Sequence, residues 1–427
     1  MTMSLIPVPR RVQRLASRLG AVLRHEGIAG IRDRIRYPKP FWRRQRPPIL
    51  MMGPVLVRGG TAEDRELIAR VLSEAGIVLA ASSFDDYRET IRIVALADTA
   101  EPISNKDILI VVGPDRPSLC RLLPLARRCR AVLCDCPGLL QDLQRHGIPI
   151  EQIFALKNRD SLAEGLIRYF LAVGSAGPDD QDWQAFSDLH DLPPHPRLCL
   201  SLPETVERRQ NFLAANLSGF RIFDGVRHVP GWIGAASSFR LMARACLDQQ
   251  AVPALFVEDD VVFAANFESR LGVVSSYLKE QRWDVFSGLL TDVGADYVVT
   301  DVVRHGGEVF IHLNCCVGMV CGLYNHRALD RLATWTLETG LPIDRYLENS
   351  EGLKVVTTLP FLADHCDGLT SSIWRFGNRR YRNMIRNSEA RLKQMLKEYE
   401  DRTKAADRGA AVTAMSISRP RSDMDQG

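Results

Sequence analysis

Between Val252 and Phe263 the chain reads VPALFVEDDVVF, and no other segment limits the fold as strongly. Residues 253–257 are apolar or small, without the alternation of a strand that has one wet face. They read as a strand buried on both sides. Such a strand belongs inside an α/β sheet whose faces carry helices. Its end delivers three consecutive carboxylates, Glu258, Asp259 and Asp260, and apolar residues resume at Val261. The flanking apolar runs argue against a solvated surface turn. Adjacent carboxylates repel one another, and oxygen donors projecting from a strand end suit Mg2+ or Mn2+. Ligands of open α/β sheets bind at that edge. A divalent ion there could bridge the diphosphate of a nucleotide-sugar and neutralise the leaving group.

The rest of the chain divides around this segment. Residues 49–174 alternate β-rich apolar runs with helical periods, the pattern of a Rossmann-like α/β domain. Strands are expected at 55–57, 77–81, 107–113, 131–134 and 152–156, and helices at 62–75, 117–129, 139–146 and 160–173, the first capped by Thr61. The turn Val57-Arg58-Gly59-Gly60-Thr61 could hold an anion on its backbone N–H groups, but it matches neither G-x-G-x-x-G nor a Walker loop. A structural or partner-binding role for this domain is the plainer reading. Residues 175–196 are polar and proline-bearing, as an interdomain linker is. Residues 197–387 form a second mixed α/β region. From 388 to 427 the chain begins as a charged helix over 389–400 and turns after Arg402 to small polar residues, so a disordered tail is expected.

Charge is distributed unevenly. Residues 1–50 hold 12 Arg or Lys against Glu26 and Asp33, so the other 377 residues sum to −6 although the whole chain is +4. In the arm at 1–48, Val12, Leu15, Ala16, Leu19, Val22 and Leu23 share one helical face, while Arg11, Arg14, Arg18 and Arg24 lie largely off it. A basic amphipathic helix of this kind is drawn to anionic lipid. Alternatively its stripe packs on the domain behind it. Aromatic residues are not interleaved with the arginines, so no nucleic-acid partner is expected. Apolar residues make up 46% of the chain and charged ones 25%, which excludes a disordered or collagen-like chain. No apolar run reaches membrane-spanning length, and arginines stand where a secretory signal would be apolar. The expected compartment is the cytoplasm, with the arm able to hold the chain at the inner face of the plasma membrane. The ten cysteines lack the paired spacing of a zinc site and read as small buried residues.

An ordered set of segments then carries a family likeness. Leu200-Ser-Leu-Pro-Glu-Thr-Val-Glu-Arg-Arg209, Arg221-Ile-Phe-Asp-Gly225, Gly231-Trp-Ile-Gly-Ala-Ala-Ser-Ser238, Phe256-Val-Glu-Asp-Asp-Val261, Arg282-Trp-Asp-Val285, Pro342-Ile-Asp-Arg345 and Leu359-Pro-Phe-Leu362 follow one another over residues 198–387. In this order the region resembles glycosyltransferase family 25, enzymes associated with lipopolysaccharide and related surface glycans. The resemblance implies a GT-A-like fold, a nucleotide-sugar donor, inverting transfer and a glycan or glycolipid acceptor.

Residue by residue, Glu258, Asp259 and Asp260 match the acidic metal motif, with Asp260 the leading ligand and Asp259 beside the donor. Arg208 and Arg209 match a basic pair that would meet donor phosphate or base, though arginines here could equally pair locally. Asp224 and Gly225 match an Asp-Gly after the second strand, where Asp224 would hydrogen-bond the donor nucleoside; a simple turn is the alternative. Inverting transfer needs a base for the acceptor hydroxyl. Asp344 is the first candidate, its alternative being a helix N-cap. His365 would complete the metal shell or simply be exposed. Asp284 would orient the acceptor or hold a strand end. The chain departs from the family in its third segment, where Trp232, Ala235 and Phe239 stand in place of glutamate, cysteine and histidine. This departure fits a subgroup with another acceptor, or a glycan-assembly scaffold that binds without turnover. Metal-dependent phosphoester hydrolysis would need a second ligand cluster, and only His365 with Asp364 and Asp367 is on offer.

Overall fold

The computed structural model describes residues 55–59, 62–74, 89–93, 107–112, 118–157, 161–173, 189–215, 219–228, 231–369 and 379–417, with Ile103 and a few positions between 20 and 32. Most of the basic arm, Gly60 and Thr61, the strand expected at 77–81 and most of the linker lie outside the described residues.

Five parallel strands form the first sheet: β1 (Val55–Gly59), β2 (Glu89–Ile93), β3 (Asp107–Val111), β4 (Ala131–Cys134) and β5 (Ile153–Ala155). Strand side chains alternate between faces. Ile108, Ile110, Leu133 and Phe154 therefore pack with Ile68 and Leu72 of α1 (Ala62–Glu74) and Leu162 and Leu166 of α4 (Leu162–Val173). Leu109, Val111, Val132 and Ile153 pack on the other face with Leu122 of α2 (Leu119–Ala126) and Leu140 and Leu143 of α3 (Pro137–Arg145). The strands lie in the order β1-β2-β3-β4-β5. Among the described residues each strand is added on the same side and no reversal of order is present, while the strand expected at 77–81 lies outside them. Strand β2, Glu-Thr-Ile-Arg-Ile, was not expected, because polar residues interrupt its apolar pattern.

The second sheet has eight strands in the order β11-β12-β14-β10-β13-β8-β6-β7. Its parallel part begins with β6 (Arg197–Ser201), followed by α5 (Val206–Ala214), β7 (Phe220–Asp224), α6 (Gly231–Asp248) and β8 (Ala254–Glu258). Strand β6 lies between β7 and β8 and is parallel to both. The chain thus moves to one side of β6 and then to the other, with α5 on one face and α6 on the opposite one. That reversal is a topological switch point, and its crevice lies at the C-terminal end of β6. Strands β10 (Val285–Ser287), β11 (Val299–His305), β12 (Glu308–Leu313), β13 (Cys321–Tyr324) and β14 (Val355–Thr358) complete a mixed sheet. A short ladder of β9 (Val261–Phe263) with β15 (Ala363–His365) sets His365 opposite Val261. The chain is therefore an α/β protein built on one parallel and one mixed sheet.

Three further helices, α7 (Phe267–Lys279), α8 (His326–Ala333) and α9 (Ile343–Glu348), flank the second sheet, and α10 runs from Arg379 to Ile417. The last helix extends well beyond the charged stretch read from sequence and occupies residues expected to be disordered. All ten cysteines are free and seven are buried, whereas Cys120 is exposed and Cys136 and Cys366 are partly so. No described helix is long and apolar enough to cross a membrane.

The two sheets are joined by buried polar contacts. Glu204, fully buried between β6 and α5, accepts from Arg168 Nη2 of α4 at 3.2 and 3.1 Å and from the Ala155 amide at 3.0 Å. Gln144 donates to the Glu204 carbonyl at 2.6 Å. From the loop before α6, Arg227 donates to the carbonyls of Ile150, at 2.7 Å, and Ile153, and its guanidinium lies 4.3 Å over Phe154. Removing one partner of a buried ion pair strands the other charge, whereas removing both can be neutral. Arg168→Met should therefore lower stability by about 3–5 kcal/mol. Urea denaturation should show most of that loss recovered in Arg168→Met with Glu204→Leu.

Candidate functional site

At the switch point, three strand ends stand side by side: β7 with Asp224, β6 with Ser201, and β8 with Glu258. Asp259 and Asp260 follow β8, and both are buried. Helix α5 starts just above them. Neighbouring residues on a helix point about 100° apart, so adjacent arginines reach different strands. Arg208 turns to β8, with Nε 2.8 Å and Nη2 2.5 Å from Asp259 Oδ1 and Nη2 2.8 Å from Asp260 Oδ2. Arg209 turns to β7 and donates from Nη2 to Asp224 Oδ1 at 2.6 Å and to the Ser201 carbonyl at 3.1 Å. Local pairing is thus what both arginines do here, and in doing so they tie the three strand ends together.

Asp259 is fully engaged. Its Oδ2 accepts from Ser201 Oγ at 2.7 Å and lies 3.2 Å from Thr205 Oγ1, while Oδ1 meets Arg208. Thr205 occupies the N-cap of α5 but makes no capping bond, because its hydroxyl faces Leu202 O and Asp259 instead. Asp260 shares Oδ2 between Arg208 and His365 Nε2, the latter at 3.0 Å. Its Oδ1 is buried with no hydrogen-bond partner. On its other side, His365 Nδ1 lies 3.3 Å from Asp367 Oδ1, and Arg382 Nε of α10 is 2.5 Å from Asp367 Oδ2. The His365 ring also lies against Tyr381, with centroids 4.7 Å apart. The β9–β15 ladder positions this histidine, reinforced by the Cys366 amide donating to Asp260 O.

The electrostatics follow from the count of charges. Four carboxylates, Glu258, Asp259, Asp260 and Asp367, face three cations, Arg208, Arg382 and His365. Burial opposes the His365 charge, but the hydrogen bond and charge of Asp260, then Asp367, outweigh it and raise its pKa. Burial likewise works against Arg208, yet Asp260, Asp259 and Glu258 hold it more firmly protonated than usual. Burial raises Asp260, but Arg208 and His365 prevail and hold it below the ordinary carboxylate value. The excess falls on Glu258, which burial, with Asp260 next, pushes up to about 8. One more positive charge, a proton or a cation, is what the cluster lacks.

A divalent cation fits this need. Among the described residues no group of three or more His, Cys, Asp or Glu side chains forms a closed metal cage. Mg2+ in phosphate-handling sites is held by one or two carboxylates plus substrate phosphates, not by a cage. Asp260 Oδ1, unpartnered, and Glu258, short of counter-charge, supply that partial set. Asp259 is occupied and would support without coordinating. His365 is placed differently from its expected role as a ligand: a metal-bound imidazole must be neutral at the coordinating nitrogen, and here Nε2 is committed to Asp260.

The remaining expected site residues are distributed more widely. The Gly225 amide is taken by Ser201 O, and a Cβ there would lie 2.7 Å from Leu200 Cδ1, so this glycine serves close packing and offers no donor to a cofactor. Asp284 precedes β10, which runs parallel to β8, and therefore lies at the opposite edge of the sheet. There it accepts from the Lys354 amide at 2.8 Å and Arg327 Nη1 at 3.2 Å, holding a strand end. Asp344 sits in the first turn of α9 and accepts from the Arg345 amide. It neighbours Cys316 in the 315–320 loop, whose Val320 carbonyl accepts from the Glu258 amide. Trp232 and Phe239 pack on Trp335 and Phe256, so α6 presents apolar residues where the resembled family has glutamate and histidine.

Sequence reasoning assigned no role to Ser201, Thr205 or Arg382, and weighed Asp367 only as part of a second ligand cluster with His365 and Asp364. The two hydroxyls lay within a quoted segment, between a strand end and a helix start. Arg382 depends on the approach of the last helix, which no local pattern announces.

No protein-family model matches the chain, and no curated protein matches it. Among solved structures, A197 from STIV is similar over 40% of this chain and 85% of its own, at 15% identity and a TM-score of 0.25.

The raised Glu258 carboxyl makes a pH prediction. A carboxyl whose folded value lies above its unfolded one contributes stability that is complete below the unfolded value and lost as pH rises through the folded value. Without metal, stability should fall between pH 4.5 and about 8. Glu258→Gln should flatten that slope and raise Tm at the upper end by about 2–4 °C, read by thermal melts across pH.

Proposed function

We propose that the chain is a metal-dependent glycosyltransferase, with residues 197–387 in a GT-A-like arrangement, moving a sugar from a nucleotide-sugar to a surface-polysaccharide or lipopolysaccharide-type acceptor. The observation that carries this reading is Asp260 Oδ1, a buried carboxylate oxygen without a partner at the crevice of a switch point, beside a Glu258 carboxyl short of positive charge. The ordered resemblance over 198–387 supports it independently. The basic arm suits an enzyme whose acceptor sits on the inner face of the plasma membrane.

In this reading Mn2+ or Mg2+ supplies charge neutralisation for the departing nucleoside diphosphate. Glu258 and Asp260 hold the ion. Arg208 fixes Asp260 against Asp259, and His365 orients the same carboxylate from the other side. Arg209, between Ser201 and Asp224, is placed to meet the donor. Asp344 takes the acceptor hydroxyl proton as the acceptor oxygen bonds to the anomeric carbon and the bond to diphosphate breaks.

One observation favours a second reading. Arg208 already bridges two of the three acids, which suits a scaffold that binds a glycan-assembly partner or ligand without turnover. The two readings separate on donor chemistry. Purified full-length protein with Mn2+ and UDP-, GDP-, CMP- and dTDP-sugars should release nucleotide from one donor class, and Asp260→Asn should reduce that release on the order of a hundredfold. No release from any donor, together with no Mn2+ binding, would sink the transferase and leave the scaffold.

A further inference from the structure

A cleft of about 330 Å³ lies where the two sheets meet. One wall comes from the C-terminal edge of the first sheet: Leu156 and Lys157 after β5, and Ser161 and Glu164 at the start of α4. The opposite wall comes from the second sheet: Val206, Arg209 and Leu213 of α5, and Asp224 ending β7. Its volume is within the range of small-molecule sites, about 300–1,000 Å³.

The chemistry of the walls is specific. Leu140, Leu156, Val206 and Leu213 provide an apolar slot of the kind that takes a flat ring. Lys157 Nζ spans the seam, 3.7 Å from Glu164 and 3.8 Å from Asp224, both longer than a hydrogen bond. Carboxylates on both sides of the seam are acceptors of the kind that hydroxyl groups donate to. Arg168 also lines the cleft, only 2% exposed, and its Nε has no hydrogen-bond acceptor. The lining acids Asp135, Glu164 and Asp224 equal the lining bases Lys157, Arg168 and Arg209 in number, which suits a neutral polar ligand more than a phosphate. A short chain of contacts leads onward: Arg209 Nε is 3.3 Å from Ser201 Oγ, which donates to Asp259 at 2.7 Å. A ligand in the cleft therefore has its polar end directed to the carboxylate edge.

We infer that the N-terminal domain forms half of the donor site, with the nucleoside of the nucleotide-sugar in this cleft and Lys157, Ser161 and Glu164 as its specificity contacts. The inference rests on the transferase reading and extends it, because it assigns to the first sheet a part in substrate recognition. The base occupies the apolar slot, the ribose hydroxyls meet the carboxylates of Glu164 and Asp224, and the diphosphate passes Arg209 toward Asp260.

Calorimetric titration of the full chain with UDP, GDP, CDP and dTDP in the presence of Mn2+ tests this. Leu213 is 58% exposed on the rim, so Leu213→Trp can obstruct the slot without repacking a core. It should weaken the best-binding nucleotide about tenfold or more. Glu164→Gln should change the rank order of the four nucleotides, which a purely structural role would not. Mn2+ binding, followed by the paramagnetic resonance of the free ion, should be unchanged in both variants. Nucleotide affinity and rank order unaffected by both substitutions, with binding still lost in Asp260→Asn, would overturn the inference and leave the transferase reading standing. If the unaltered chain binds none of the four diphosphates, both fall.

Discussion

Of three adjacent carboxylates at a mostly buried strand end, two are bridged by a single guanidinium. Arg208 can bridge Asp259 and Asp260 because its fork offers several donors in fixed geometry, and a lysine would supply only a point charge. Around that bridge, every other cation is placed by tertiary structure: His365 by the β9–β15 ladder and Arg382 by α10. Among the described residues the fold brings three positive charges to four negative ones. A site complete in itself would have buried a fourth cation, and the deficit left on Glu258 is what distinguishes this cluster from an ordinary internal ion-pair network.

The same short loop that serves the acids also fastens the two sheets. Glu204 is buried against Arg168 and the Ala155 amide, while the next residue, Thr205, faces Asp259. The turn closed by the Thr205 amide on Leu202 O sends these two adjacent side chains to different partners, so one loop engages both. A shift of the first sheet relative to the second would move Glu204 and, through one peptide bond, the residue that braces Asp259. The first sheet is therefore mechanically part of the carboxylate edge.

The sequence made some of this legible and concealed the rest, for identifiable reasons. The strand at 254–258 was plain because a fully buried strand shows as an unbroken apolar run, and its acidic end was conspicuous for the same reason. Strands β3, β4 and β5 were legible likewise. Strand β2 was hidden because Glu89 and Arg92 interrupt its apolar residues. The order of the first sheet was invisible, since alternation of strand and helix is shared by reversing and non-reversing topologies. Arg208 and Arg209 were recognised as a pair, but their division between two strands follows from helical geometry and the positions of β7 and β8. Asp284 was left between orienting the acceptor and holding a strand end because an acid beside Trp283 before an apolar strand looks the same at either edge of a sheet. Only the direction of β10 relative to β8 reveals that it faces away.

That order of the first sheet bears on where a ligand can go. Among its five described strands the first sheet shows no reversal of order and so no switch-point crevice of its own. It acquires one by being set against the C-terminal edge of β6 and β7. Two buried anchors join the sheets, Glu204 with Arg168, which also lines the space, and Arg227 with the β5 carbonyl and Phe154. Anchors of that kind resist hinge opening, because separating them exposes charges that have lost their partners. The cleft is thus formed before any ligand arrives, and binding there spends little free energy on reorganising the protein. In the proposed transferase, a preformed slot beside a charge-deficient carboxylate edge would confine polar reorganisation to the place where charge changes, which is where fixed dipoles and cations have the most effect on a barrier.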